Sequence, residues 1–281
     1  MRTTVRLALR AATALLLPLL LSLVTAALAR AATPVPTRLT VHVVAHDAKI
    51  IGDDAGGAEV VVRDAHTGEV LARGIQWGGT GSTDLIMAEP HVRGRDLYTT
   101  DGAAVFSAVL PLTAPTRVTV TATAPLGHEQ ALASASKTLL LLPGHDVTGD
   151  GVVLELNGLI VTILAPDAAQ RLFGGQELPV SAEVKLLCTC PITPDRKYWL
   201  PNDYTVRAEL LHRGEVMEAC PMKWTGETGI FAGTLHLPPG IPGKKSGYTL
   251  RVTAANDRVA NYGMDELALI VHGLKQLKHG H

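Results

Sequence analysis

After its first thirty residues the chain alternates. Apolar and polar residues exchange places with a period of two through most segments, β-branched residues are frequent, and no apolar stripe runs at 3.6-residue spacing. The pattern predicts an all-β protein. Leu39, Val41 and Val43 alternate with Thr40, His42 and Val44 behind an entry marked by Pro34 and Pro36, so a first strand is expected there. A hairpin is expected over 57–74, where Val60 and Val62 lead into turn residues at 64–68 and Val70 and Ala72 return. Further strands are expected at 105–110, 117–124 and 136–142. A second set at 152–164, 178–190, 204–212, 215–224, 229–237, 248–254 and 266–272, separated by turn signals, predicts a Greek-key sandwich. The expected divisions are a signal segment 1–31, a β-sandwich domain 32–143, a second β-sandwich domain 144–273 and a flexible tail 274–281.

Residues 1–31 carry Arg2, Arg6 and Arg10 before an apolar run over 11–28 that ends in small residues, the pattern of a cleaved secretory signal. A secreted protein, periplasmic or at the cell surface, is expected, with no membrane-crossing segment after cleavage. Cleavage would remove four arginines and no acidic residue, moving the formal charge from −1 to −5. Nucleic acid is excluded as a partner, since phosphate binding needs a basic face. A protein or envelope-component partner fits instead.

The hairpin GAEVVVRDAHTGEVLARG, 57–74, resembles the recurrent opening of the carboxypeptidase-regulatory-like or transthyretin-like β-sandwich family. That resemblance implies a sandwich that binds a partner or braces a neighbour without catalysis. Towards the C-terminus, GETGIFAGTLHLP and GYTLRVTAANDRVANYG resemble extracellular immunoglobulin-like repeats of bacterial proteins, which implies binding or spacing. After Gly74 the chain departs from the first family in a long glycine-rich excursion, IQWGGTGSTDLIMAEPHVRGRDLYTTDG. Long loops in compact domains are frequently binding loops, so Trp77, Asp84, His91, Arg93 and Arg95 are candidates for surface recognition. The alternative is a loop whose tryptophan only covers the sheet edge.

Three cysteines are present, Cys188, Cys190 and Cys220. If the alternation of Leu178, Val180, Ala182, Val184 and Leu186 persists, both Cys188 and Cys190 point inward. Their Cα atoms would then lie about 6.6 Å apart, at the upper edge of disulfide geometry, and a direct bond would need a bend that Pro191 can permit. A bond from Cys220 to either one would close a loop of about thirty residues, worth on the order of 3 kcal/mol. The left-over thiol raises a second reading, a soft-metal or thiol-redox site in which Cys188, Cys190, Cys220 and Met222 hold copper. Reduced cysteines packed as core filler are the third.

Other signals are weaker. His42 and His46 stand about 13 Å apart on a strand, too far for one ion. His279 and His281 could chelate a divalent ion from the tail. Asp146 and Asp150 match the first half of a calcium loop, but Asn157 stands where the bidentate glutamate belongs, and an interdomain turn is the plainer reading. No G-x-S-x-G, H-E-x-x-H or phosphate-cradling motif occurs, so an exported noncatalytic binding or structural module is expected.

Overall fold

The computed structural model describes residues 33–195 and 197–274. The expected signal segment and the terminal His279 and His281 lie outside those residues. The chain is all-β, as its period predicts. Its first seven strands are β1 (Val35–Ala45), β2 (Ala58–Asp64), β3 (Val70–Gln76), β4 (Phe106–Leu112), β5 (Thr116–Ala124), β6 (Ala133–Leu141) and β7 (Val147–Leu156). They form a three-stranded sheet ordered β4-β1-β7 and a four-stranded sheet ordered β3-β2-β5-β6. Leu39, Val41 and Val43 of one sheet and Val60, Val62, Val118 and Val120 of the other are fully buried in a common core.

Strand β7 is placed differently from expectation. It does not open the second unit but pairs in parallel with β1, from Leu39↔Val147 to Ala45↔Leu156, and so completes the first sandwich. The calcium-like run lies inside this strand. Gly149 and Gly151 have φ of 68° and 57°, and the β1–β7 register shifts between Leu39 and Val41. A Cβ at Gly151 would overlap the Thr40 carbonyl, so the Gly-Asp-Gly run fits as the glycine-built bulge of a paired strand.

The chain turns at Asn157 and Gly158 into eight further strands: β8 (Leu159–Ala165), β9 (Leu172–Phe173), β10 (Glu177–Leu186), β11 (Thr205–His212), β12 (Glu215–Trp224), β13 (Ile230–His236), β14 (Lys245–Asn256) and β15 (Asn261–His272). Their order is β8-β10-β13-β12-β11-β14-β15-β9. Strand β12 pairs with β11 up to Met222 and with β13 at Lys223 and Trp224. The sheet folds over so that β14 and β15 pack against β8, which makes the second sandwich.

From His42 onward the outer face of β1 is not solvated. The excursion between β3 and β4 crosses it and buries Val44, Ile50, Ile86 and Ala104 in a small second core. Strand β4 reaches only as far as the Val41↔Phe106 pair, so the next stretch of β1 lacks a strand on that edge. The Gln76 side chain fills the gap. Fully buried, it accepts from Val43 N at 2.6 Å and donates to Val43 O at 2.9 Å and Ile51 O at 2.8 Å. An amide offers one acceptor and two donors, the same groups a neighbouring strand would supply. Gln76→Leu strands the Val43 N–H and the Ile51 carbonyl, and a loss of about 2–5 kcal/mol is expected in urea unfolding; a loss under about 1 kcal/mol would show that the amide is dispensable.

Candidate functional site

The two sandwiches meet along a junction where one hydrophobic core runs through both, from Leu154 and Leu156 to Leu159 and Ile160. Backbone groups are satisfied across it. Trp199 Nε1 donates to Asp47 O at 2.9 Å, Asn261 Nδ2 to His46 O at 3.0 Å, and Gln130 Nε2 to Val161 O at 3.0 Å. Such side chain to backbone bonds fix orientation as well as satisfying buried groups.

The cysteine run sits at this junction. Strand β10 ends at Leu186, where the chain turns back: Thr189 N donates to Leu186 O at 2.8 Å, Leu186 N donates to Cys190 O at 3.3 Å, and Lys185 bridges to Pro191. The strand parity expected through Cys190 therefore breaks, and Leu186, Leu187, Cys188, Cys190 and Ile192 are all buried. The turn brings the Cys188 and Cys190 Cα atoms to 5.3 Å and their sulfurs to bonding contact. Cys220 is free.

The expected bridge from Cys220 is replaced by this local one, and the reason is register. Cys220 lies against Gly233 of β13, which pairs with Val180 of β10, and from Val180 to Leu186 the strand runs on for about 20 Å. The same distance separates the Cys220 sulfur from the other two. Burial pushes the Cys220 thiol up from its ordinary value, and Met222 is buried two residues along the same strand. Among the described residues no group of three or more His, Cys, Asp or Glu side chains is placed to hold a metal ion.

A cavity of about 190 Å³ opens beside the disulfide. Lys49, Asp54 and Thr80 line it from the first sandwich, and Cys188, Thr189, Cys190, Pro191 and Trp199 from the second. Thr189 has φ 61°, Trp199 φ 60° and Asp47 φ 53°, three of the five non-glycine residues in the left-handed region among the described residues. Backbone strain of this kind gathers at sites whose surroundings hold it in place.

The excursion residues singled out from sequence do not form one cluster. Trp77 is 56% exposed and pairs with Val105 at the edge of β3, beside exposed Ile75. Asp84 begins a short π-helical turn, Asp84–Ala88. His91 Nε2 meets Ile86 O at 3.1 Å and Arg95 pairs with Glu89 at 2.6 Å, both local contacts, and Arg93 is exposed. The calcium candidates are occupied otherwise. Asp146 accepts from the Arg38 N–H and guanidinium, while Asp150 accepts from the N–H groups of Leu97, Tyr98 and Thr99 and so pins the excursion to β7.

Beneath the excursion lies a residue whose importance the sequence did not reveal. His42 is 2% exposed, its Nδ1–H donates to Ala104 O at 3.1 Å, and among the described residues Nε2 makes no hydrogen bond. It lines a cavity of about 220 Å³ with Thr40, Tyr98, Thr99, Thr100 and Ser107. His46 points elsewhere, pairing with Glu155 at 2.8 Å.

No family model matches the chain, and no curated protein matches it. The resemblance to the carboxypeptidase-regulatory-like family therefore stands on its hairpin residues alone. Fibronectin(III)-like modules of CbhA from Clostridium thermocellum align with 86% of this chain and 95% of their own length at 11% identity, with a TM-score of 0.26. BcpA, the major pilin subunit of Bacillus cereus, aligns with 85% of this chain and 69% of its own at 10% identity, with a TM-score of 0.31. Scores of this size do not establish a common arrangement, so the fold class rests on the chain's own strand pairing.

Burial lowers the His42 pKa from its ordinary 6.5, against smaller opposing effects from the Ala104 carbonyl and nearby Asp150. The unfolded chain thus takes up this proton first as pH falls. Stability is expected to drop below pH 6.5 and to level off once the folded imidazole protonates as well. Burial lowers His128 in the same way, so His42→Gln should reduce the slope without abolishing it. Urea midpoints measured between about pH 7.5 and 5.5 report this, and an unchanged slope would remove His42 from the account.

Proposed function

We propose that this protein is an exported, noncatalytic binding or structural module that holds two sandwiches at a fixed angle and docks to a protein or envelope component. The single observation that carries this reading is the continuous core across the junction. Two independent modules would be joined by an exposed linker with few contacts, whereas here β7 and β8 are separated by two residues and both strands contribute to the shared core.

The supporting observations agree with an oxidising compartment and a surface role. The basic and apolar leader has the pattern of an export signal, and a cysteine pair at bonding contact persists most readily outside the cytoplasm. No helix among the described residues is long and apolar enough to cross a membrane. The exposed Ile75, Trp77 and Val105 at the edge of β3 supply an aromatic and aliphatic patch of the kind that anchors interfaces.

Fractionation of expressing cells should place a chain lacking its first thirty or so residues outside the cytoplasm, as N-terminal sequencing would record. Calorimetry of that chain should give one cooperative transition. A cytoplasmic chain with its leader attached would overturn export, and two resolved transitions would overturn the fixed geometry.

A further inference from the structure

We infer that the Cys188–Cys190 bond is a thiol–disulfide exchange site, reduced by dithiols that reach the junction cavity. This goes beyond the module reading and does not depend on it.

The bond does little as a staple. It spans two residues within one turn, and the restraint a disulfide places on the unfolded chain shrinks with the loop it closes. It joins no two strands, and β10 is already held by β8 and β13. What it holds is a turn with a β-branched residue, Thr189, in the left-handed region that such side chains avoid. Bonds that close strained local turns exchange more readily than those buried between sheets.

Access is asymmetric. Cys188 is 0% exposed and Cys190 6%, and both line the cavity. An incoming thiolate therefore attacks Cys190 Sγ. The Cys188–Cys190 bond breaks, a mixed disulfide forms on Cys190, and Cys188 leaves as a thiolate that takes a proton from solvent. Lys49 and Asp54 line the same cavity, so it carries charge of both signs beside the bond. The second thiol of the dithiol then attacks its own bound sulfur, releasing Cys190 as a thiolate and the reductant as its cyclic disulfide. Two electrons pass to the protein. Relaxation of Thr189 would follow, next to the Trp199 contact with Asp47 that ties the sandwiches together.

The test uses the full mature chain and dithiothreitol. In the oxidised, denatured chain one thiol, Cys220, should be titratable, and three after reduction. In native buffer, Cys188 and Cys190 should become alkylated together, at a rate proportional to dithiothreitol and unaffected by urea below the unfolding transition, while circular dichroism stays native. A pair that resists reduction until the protein unfolds, or peptide mapping that finds no 188–190 bond, would overturn the inference. The direction of attack is read with oxidised glutathione on single variants. Cys188→Ser should be modified at Cys190 about ten-fold faster than Cys190→Ser at Cys188; equal or reversed rates would overturn attack at Cys190. Should a variant fail to fold, the wild-type kinetics still decide whether the bond exchanges.

Discussion

From Val41 to Ala45 strand β1 is buried on both faces, and a stretch of strand without water must find a partner for every N–H and C=O it carries. Most of the first sandwich can be understood as the ways this is met. Strand β4 serves one edge of its first half, β7 serves the other edge, and the Gln76 amide takes over where β4 stops. The excursion is needed because a sheet covered on one side only would leave Val44 and Ile50 wet. Asp150 then fastens the excursion down by accepting three of its backbone N–H groups.

The same constraint accounts for what could be read in the sequence and what could not. Alternation reports which residues share a face, and it located most strands and the inward side of β1, β2 and β10 correctly. It does not report which strand lies alongside. The parallel partnership of β1 with β7 was therefore missed, and with it the extent of the first sandwich. Alternation puts His42 opposite Leu39, Val41 and Val43 but does not show that this face is covered, because the segment that covers it comes much later in the chain. Gln76 carried no signal: the sequence places it inside the excursion, and only the structure ends β3 on it. The cysteine turn was half legible: Pro191 gave notice of a bend, but only register shows that Cys220 is out of reach.

At the junction, polar and apolar effects act together. The shared core resists separation of the sandwiches but has no directional preference. Direction comes from the few bonds made by Trp199, Asn261 and Gln130 to backbone carbonyls. The Trp199 bond to Asp47 joins two left-handed residues and lies beside the cysteine turn, so one directional contact between the sandwiches adjoins strained backbone.

The parallel pairing of β1 and β7 also sets an order of events in time. Arg38 and its partner Asp146 stand 108 positions apart, so β1 stays incomplete until nearly the whole of its sandwich has been made. Pairing at such separation is slow to form, because the intervening chain must be closed into a loop before any contact rewards it. A growing chain interrupted before Val147 would carry β1 with a bare edge, open to neighbouring chains. Truncation within the first sandwich is thus a hazard of aggregation through a bare strand edge, whereas a cut after Leu156 leaves every strand of that sandwich paired and bares only the core face shared with the second.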